Sequence, residues 1–590
     1  MRHDIKRAVL AVLSCLVVFC GSPLLAKTPA NNLKDQKKLR KPIDLRLSKD
    51  NRWLYIANRS TGSISVIDAK SRKVVNEQPV GKQLTALAIS PDGKLLVAAD
   101  DSLHQLILMK PLAGKVEVLS RMAISPYPVR MAFAANGKRL FVTSLWSRRV
   151  SQVDVSNHQK AKVQRVLDLP FAPRCLISVR KDSRLIIADS FSGRLGIIDV
   201  AKFKVQAVRE FPAHNIRGLS VSNNGKMLLI AHQMLNELAH TVRNDVHWGL
   251  LMSNDLRWLR LDLMLSGAKD LYKGGRMHPL GEAGSATGDP AGLAVAPNGT
   301  VVVTLGGVGE VAVGKEKDYG LRRRQVGKRP TGVVVSSDSQ TAYMTDTFRD
   351  TVVEVALIES IPAKKIKLGP APKLTLAQQG ERLFFNAKLS HDGWMSCHSC
   401  HTDGHTNSML NDNLSDGSFG APKRVLSLLG RAKTAPFAWN GGAANLEMQV
   451  RKSIRNTMQS DDDPNPKHVK AIAAFVRTLK APPSLDKVRG LEDPKRIARG
   501  KKLFLGNSCN RCHVPPTFTS PSTYNVGLTD KLGNKLFNPP TLRGVGQRGP
   551  YFHDARAKSL NDVLMKYRHQ LKKPLTKKQF LDIRAFLRSL

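Results

Sequence analysis

Two short segments of the sequence place cysteine and histidine at a spacing that suits one covalent chemistry. They read Cys397-His-Ser-Cys-His401 and Cys509-Asn-Arg-Cys-His513, and both have the form C-x-x-C-H. Two thiols on one helical turn can add to the two vinyl groups of a haem, and the following histidine can then ligate the iron. A lone C-x-x-C pair would also suit zinc or thiol redox chemistry, but the histidine that ends both copies favours haem. We therefore expect two covalently bound haem c groups, attached through Cys397, Cys400, Cys509 and Cys512 and ligated by His401 and His513.

The N-terminus predicts that the chain is exported. Three basic residues within the first seven precede an apolar run over residues 8–20, and the small residue Ala26 stands at the expected cleavage point. This three-part pattern is typical of a signal peptide, here residues 1–26, and the run is too short for a comfortable membrane span. The expected location is the periplasm or another exported site, including the surface of the cell envelope. The remaining unmatched cysteine, Cys175, is expected to be a small buried apolar residue.

The composition indicates a folded multidomain protein, and its net charge indicates anionic partners. The chain has 590 residues, 42% of them hydrophobic, which predicts two or three folded domains and excludes a disordered chain. Lys and Arg number 92 against 47 Asp and Glu, a formal net charge of +45. A cationic surface attracts anionic partners, and in an exported protein these are acidic redox proteins or anionic envelope surfaces rather than nucleic acid.

A repeated turn and strand pattern predicts the fold of the first 358 residues. Turn residues recur with spacings of 42, 44, 46, 42, 74 and 40 residues, at Asp50, Asp92, Asn136, Asp182, Asn224, Asn298 and Asp338. Each precedes a short apolar strand, and units of about 40–45 residues with several strands are typical of a β-propeller blade. We expect a seven-bladed propeller over residues 27–358, and its repeats resemble the YVTN-type bacterial propeller repeats.

The longest spacing places an insertion near residues 232–290. Residues 236–243 and 253–263 are expected to be helical, and the insertion is expected to pack against the second domain. A Pro- and Lys-rich segment over residues 359–374 is interpreted as a linker. Helical patterns then replace the strands, so the fold class is multidomain: an all-β seven-bladed β-propeller followed by a mainly α-helical di-haem cytochrome c domain. Its first haem subdomain is expected at residues 375–485 and its second at 486–590.

The segments around the two C-x-x-C-H motifs resemble the bacterial di-haem cytochrome c peroxidase family, which includes MauG. The resemblance rests on residues 380–390 before the first motif, 498–504 before the second, and 539–543 and 549–554 after it. It implies that peroxide is reduced at the first haem with electrons passed on from the second. It further implies a small c-type cytochrome or another redox protein, here an acidic one, as electron donor. Trp439 matches the family's relay tryptophan and Gln449 its distal glutamine.

One position departs from the family pattern at the point where peroxide chemistry needs a proton acceptor. The family has a glutamate ten residues after the distal glutamine, and counting from Gln449 gives Gln459. An amide can orient peroxide but cannot accept its proton. The carboxylates at residues 461–463 could substitute, or they form a solvated acidic loop. Two alternatives to a peroxidase therefore stay open: a non-catalytic electron-transfer or docking cytochrome, and a haem enzyme that oxygenates an organic substrate.

The sixth ligand of the second haem has three candidates. Counting fourteen residues from His553, as in the family, gives Tyr567, a residue type that resembles the MauG arrangement. His569 and Met565 lie two residues to either side and would face the opposite way on a continuous helix. A helix that ends near Arg568 would free His569, so Tyr567 and His569 rank close together and Met565 third.

Calcium is not expected between the haems. The resemblance implies a calcium site there, but ungapped counting places Arg424 and Arg548 at the ligand positions, and arginine cannot ligate calcium. We expect the guanidinium charge to replace the ion. Three further histidines near the first motif, His391, His398 and His405, are alternative sixth ligands for the first haem.

Overall fold

The structure is a computed structural model that describes residues 38–318, 320–358, 361–414 and 417–590. The predicted signal peptide lies outside these residues. Within the described ranges, no helix is both long enough and apolar enough to cross a membrane.

Seven four-stranded antiparallel sheets confirm the seven-bladed propeller, and each blade uses four consecutive strands. Blades 1 to 4 are Pro42–Leu47, Trp53–Asn58, Ser63–Asp68, Lys73–Pro79; Leu84–Ile89, Leu96–Asp100, Gln105–Leu112, Lys115–Ala123; Pro128–Phe133, Arg139–Ser144, Arg149–Asp154, Lys162–Asp168; and Pro173–Val179, Arg184–Asp189, Arg194–Asp199, Lys204–Glu210. Blades 5 to 7 are His214–Val221, Met227–Leu235, Met252–Arg260, Arg276–Pro279; Pro290–Val295, Thr300–Leu305, Glu310–Lys315, Arg322–Gln325; and Pro330–Val335, Thr341–Asp346, Thr351–Ala356, Lys364–Lys367.

The recurrent Asp and Asn residues occupy the hairpin between the first two strands of every blade. In six of the seven hairpins the side-chain oxygen accepts the backbone N–H two residues later, as in Asp92 to Lys94 at 3.1 Å and Asn224 to Lys226 at 3.0 Å. The exception is Asp182, which accepts the hydroxyl of Ser178 at 2.6 Å. This local bond stabilises the turn and explains why the repeat is visible in the sequence. The first strand of each blade contacts the first strand of the next, so these strands surround the central channel.

The ring closes where blade 1 meets blade 7. The carboxylate of Asp350 accepts the backbone N–H groups of Arg40 and Lys41, each at 2.9 Å. Arg72 pairs with Glu354 across the same junction at 2.8 Å.

The first haem half lies over this junction. Lys41 pairs with Glu381, and the guanidinium of Arg382 donates to the carbonyl of Phe348. The junction between the two ends of the propeller is therefore spanned by the domain that follows it.

One domain boundary and two expected helices differ from the sequence-based expectation. Residues 364–367 form the outer strand of blade 7, so the propeller extends into the segment interpreted as a linker. This strand exposes three lysines and buries Ile366 alone, so no apolar pattern marks it in the sequence.

Residues 252–260 form a strand of blade 5 rather than a helix, and the expected helix over residues 236–243 is also wrong. The strand is buried on both faces, and such an apolar run cannot be told from a helix by periodicity alone.

The remaining chain is mainly helical, as expected. The helices are α1 Arg243–His247 and α2 Leu261–Ser266 within blade 5, then α3 Leu376–Phe384, α4 Cys397–Cys400, α5 Leu446–Lys452, α6 Pro466–Thr478, α7 Leu485–Arg489, α8 Pro494–Gly506 and α9 Lys577–Ser589. Two π-helical turns, Ser453–Thr457 and Asp562–Lys566, occur at corresponding points of the two halves. Short 3₁₀ turns are Ala387–Leu389, His391–Gly393, Thr402–Gly404, Cys509–Arg511 and Val545–Gln547, and two-residue strands pair Leu410–Asn411 with Lys423–Arg424 and Tyr524–Asn525 with Leu536–Phe537.

Candidate haem sites

The first C-x-x-C-H motif opens onto a preformed cavity. Cys397, Cys400 and His401 line it together with Gln449 and Met458 from the distal helix and turn. The cavity holds about 1360 Å³ of atom-free space, counting the part that opens to solvent. Burial raises the pKa of both thiols to about 12 and lowers that of His401 to about 4. The cysteines are therefore neutral thiols and the imidazole is neutral, which is the form that ligates a metal.

The propeller holds the helix that carries this motif. Asp289, between blades 5 and 6, accepts hydrogen bonds from the hydroxyl groups of Ser396 at 2.6 Å and Ser399 at 2.7 Å. His214 Nε2 lies 3.0 Å from the carbonyl of Ser399, and the Gln233 amide donates to the Ser399 hydroxyl at 3.2 Å. Four hydrogen bonds from the propeller thus meet at Ser396 and Ser399, at the N-cap and within this short helix.

The distal wall differs from the expectation at Gln459. Its amide donates to the carbonyls of Thr241 at 2.6 Å and Asn456 at 2.8 Å, and the residue does not line the cavity. The π-helical turn before it bonds the N–H of Met458 to the carbonyl of Ser453, five residues back. Such a turn shifts the register by one residue. Met458, which is 3% exposed, therefore occupies the wall where Gln459 was expected.

Gln449 does line the cavity, as expected. Its amide nitrogen donates to the hydroxyl of Ser453 at 3.3 Å, and its buried Oε1 has no hydrogen-bond partner within the described residues. A buried carbonyl oxygen without a donor is costly, so this atom fits a small proton-bearing ligand in the cavity.

The other candidates near the first motif point away from it. The carboxylates of residues 461–463 are exposed and do not line the cavity, and Asp461 pairs with His391 and Arg243. Both ring nitrogens of His405 have partners, the hydroxyl of Ser427 and the carbonyl of Gln547. His398 accepts the N–H of Asp403 and faces the propeller channel. His391 contacts Asp461, and none of the three histidines lines the cavity, so the structure offers no support for them as sixth ligands.

Trp439 lies between the two haem halves. It lines the first cavity and is 8% exposed, and its ring meets that of His553 from the second half edge-on, with centroids 6.4 Å apart. Its indole N–H donates to the carbonyl of Arg424 at 2.8 Å. The ring is thus fixed between the first cavity and His553 of the second half.

Three buried arginines gather between the halves without a carboxylate partner among the described residues. Arg424 donates to the carbonyl of Phe552 at 3.3 Å, Arg548 donates to that of Leu429 at 2.5 Å, and Arg431 lines the first cavity. Burial lowers the pKa of Arg424 and Arg431 to about 10 and, with their mutual repulsion, that of Arg548 to about 9. Uncompensated buried charge is costly, so this cluster fits an anionic group. Haem propionates are such groups, and the residues present fit haem.

The second motif is less enclosed. Ser508, Arg511 and Val514 are exposed, and burial raises the pKa of Cys509 to about 11. His513 Nδ1 lies 3.1 Å from the carbonyl of Phe518, which leaves Nε2 for a metal.

The structure favours His569 among the candidates for the second sixth ligand. The helical turn ends at Lys566 and Arg568 has a left-handed φ of +46°, the condition under which His569 is freed. Burial, and then the charge of His569, lowers the pKa of His513 to about 4. The hydroxyl of Tyr567 donates instead to the carbonyl of Arg556 at 3.3 Å. Met565 packs in the apolar cluster that also contains Cys509.

Several site residues could not be found by motif reading. Asp289 lies more than a hundred residues from the helix that it bonds, and Met458 reaches the cavity through a helical irregularity. Arg431 could have been found from the sequence, because an arginine within an apolar segment is rarely buried without a partner.

Comparisons with known proteins agree with this geometry. The family described as di-haem cytochrome c peroxidase matches residues 375–481, and the family described as lactonase, 7-bladed β-propeller, matches residues 25–133. The methylamine utilization protein MauG of Methylorubrum extorquens is 30% identical over 264 residues, covering 35% of this chain and 72% of that protein. Cytochrome c551 peroxidase of Nitrosomonas europaea is 30% identical over 282 residues, covering 39% of this chain and 84% of that protein.

Among solved structures, hydrazine synthase of Kuenenia stuttgartiensis aligns with a TM-score of 0.48 and 19% identity, over 55% of this chain and 98% of that chain. The two C-x-x-C-H motifs, the cavity at the first, and the identity to MauG of Methylorubrum extorquens and to the Nitrosomonas europaea peroxidase lead to one assignment. The chain belongs to the di-haem cytochrome c peroxidase and MauG family, and carries a seven-bladed β-propeller ahead of the family's domain.

Proposed function

We propose that this protein is an exported oxidoreductase that reduces peroxide at the first haem with electrons relayed from the second. The observation that carries the proposal is the first cavity, where the attachment cysteines and His401 share an enclosed space with the partnerless Oε1 of Gln449. Haem held by Cys397, Cys400 and His401 supplies iron that changes oxidation state. The chain's own residues supply position, exclusion of water and charge.

Gln449 is the residue proposed to orient peroxide. Its Oε1 accepts a hydrogen bond from a peroxide O–H, while its amide nitrogen is held by Ser453. No carboxylate lines the cavity among the described residues, so proton transfer there is assigned to water rather than to Gln459. This predicts slow turnover compared with a site that has a glutamate.

Trp439 is the proposed route between the two sites, because it reaches both the first cavity and His553. The second motif, with His513 and the proposed ligand His569, is the proposed entry point for electrons. The exposed cationic surface around it suits an acidic c-type cytochrome or another acidic redox protein as donor.

The test is peroxide-dependent oxidation of a reduced small c-type cytochrome by the holoprotein. Trp439→Phe removes the indole N–H bond and is expected to lower this turnover at least about tenfold, a loss of about 1.4 kcal/mol of transition-state stabilisation. Trp146→Phe, in the propeller, is the matched control and should keep wild-type turnover. Absence of peroxide-dependent oxidation in the wild type would refute the proposal.

Met458 favours a second candidate function, that of an electron-transfer cytochrome. Its buried thioether lines the first cavity and could close the iron as a soft sixth ligand. The ferric absorption spectrum separates the two functions: a high-spin component indicates an open first site, whereas two low-spin haems that become partly high-spin in Met458→Leu indicate a closed one.

The remaining proposals concern export and calcium. Export rests on the signal pattern of residues 1–26, and mass spectrometry of secreted material should find the mature chain beginning near Lys27. The cluster of Arg424, Arg431 and Arg548 is proposed to replace calcium by pairing haem propionates, so chelation of calcium should leave the spectrum unchanged.

A further inference from the structure

Three side chains that can ligate a metal converge where the propeller meets the first haem half. They are His247 of the propeller and His391 and Asp392 before the first motif, and their ligand atoms all lie within 4.8 Å of one another. His247 Nδ1 is 2.7 Å from Asp392 Oδ2, and His391 Nε2 is 3.4 Å from the same oxygen. The peroxidase chemistry proposed above uses none of them.

The backbone holds these groups in place. Asp392 has a left-handed φ of +57°, which aspartate tolerates, and its Oδ2 also accepts the N–H of Gly284 at 3.1 Å. Trp394 donates its indole N–H to the carbonyl of His247 at 3.1 Å and fixes the end of α1. The cluster is therefore anchored on both of its sides rather than formed by free side chains.

His391 carries the arrangement typical of a metal-ligating histidine. It is 8% exposed, and its Nδ1 lies 2.8 Å from a carboxylate oxygen of Asp461. A carboxylate that accepts the Nδ1 hydrogen fixes the ring and leaves the Nε2 lone pair for a metal. That lone pair faces an oxygen of Asp392, an arrangement that a cation between the two atoms would stabilise.

We infer that His247, His391 and Asp392 form a binding site for a divalent transition metal of the zinc type, with Asp461 as a positioning residue. Two imidazoles and one carboxylate are a donor set that zinc accepts, with water as the fourth ligand. Bonds of about 2.0–2.1 Å in a tetrahedron place ligand atoms about 3.3 Å apart, close to the His391–Asp392 separation. The side chain of His247 is 36% exposed, so water can reach the site.

The proposed site joins the propeller to the first haem half. One ligand comes from the propeller and two from the haem half, so the ion links the domains. The N–H of His391 donates to the carbonyl of Met458 at 3.0 Å, and Met458 lines the first cavity. Metal binding therefore stabilises the backbone of the distal wall.

The test measures zinc binding by the di-haem holoprotein, with zinc alone as the probe in competition with a chromophoric chelator. The wild type should take up one zinc per two haem irons, and Co²⁺ should give d–d bands of a four-coordinate site. His247→Ala and Asp392→Asn should lose this saturable binding, and Asp461→Asn should weaken it roughly 10- to 100-fold.

His240→Ala is the matched control, because His240 lies in the same insertion and faces one carboxylate, Asp412, at 3.3 Å. It should bind zinc as the wild type does. Haem absorbance and far-UV circular dichroism confirm that each variant is folded. A wild type without a saturable zinc site, or equal binding by wild type, His247→Ala and Asp392→Asn, would overturn the inference.

Discussion

The two haem halves share one motif but lie in opposite surroundings. The helix of the first motif is capped by Ser396 and bonded by Asp289 of the propeller, whereas the second follows an exposed Ser508 that makes no side-chain cap. Their charges differ as well: residues 375–485 carry 13 Lys and Arg against nine Asp and Glu, and residues 486–590 carry 22 against seven. The first site is enclosed and the second is open and cationic. Two copies of one motif therefore lie in different surroundings, which suits the two different roles proposed for them.

The largest expected effect comes from removing the propeller's hold on the first motif. Asp289→Ala leaves the hydroxyls of Ser396 and Ser399 without their acceptor and leaves Arg329, 3.6 Å from Asp289, without its nearest carboxylate. The opening free energy of this region should fall by about 2–4 kcal/mol. Hydrogen exchange of residues 395–404, read by mass spectrometry, measures it.

Residues 507–514 around the second motif serve as the internal control and should exchange at the wild-type rate. Asp289→Asn keeps one acceptor oxygen and should show a smaller change. Wild-type exchange at both motifs in Asp289→Ala would mean that the propeller does not stabilise the first site.

The next effect concerns the open, cationic half. Arg511 is exposed within the second motif, and Arg511→Glu should lower kcat/KM for an acidic cytochrome donor about tenfold at low ionic strength, because the local attraction to the donor is weakened. The effect should shrink as salt is added. Arg451→Glu places the same charge change on an exposed position of the first half and should have little effect. Equal losses in both variants would contradict electron entry at the second half.

The smallest effect on turnover should come from Gln459. Gln459→Glu sets a carboxylate against the carbonyls of Thr241 and Asn456 and should destabilise the contact with the propeller by about 1 kcal/mol. Peroxide turnover should stay within about twofold of the wild type, since less than 0.5 kcal/mol of barrier is involved. Gln449→Glu, which points into the cavity, is the comparison and should change turnover. A rise in turnover in Gln459→Glu but not in Gln449→Glu would mean that the side chain at position 459 faces the cavity.

The fold could be predicted to the extent that local chemistry determines it. The hairpins are visible because six of the seven turn residues accept the backbone N–H two residues on, as Asp338 does from Gln340 at 2.9 Å. Haem attachment is equally local, because two cysteines and a histidine on one turn suffice. The outer strand of blade 7 was missed because its exposed lysines carry no apolar pattern.

The distal wall could not be predicted by counting, and the reason is geometric. Counting assumes a constant rise per residue, and the π-helical turn Ser453–Thr457 breaks that assumption one residue before Met458. The second half contains the same irregularity at Asp562–Lys566, directly before the two candidate ligands Tyr567 and His569. Contacts such as that of Asp289 with Ser396 depend on how two domains meet, which no local pattern encodes.

The junction between blades 1 and 7 is in contact with the first haem half, so haem binding there would affect the stability of the closed propeller. The pairs Lys41–Glu381 and Arg382–Phe348 fasten the first haem half across the place where the two ends of the propeller meet. Anything that binds the native state alone stabilises every part that unfolds with it. Haem binding to the first half would therefore also stabilise the closure of the propeller ring.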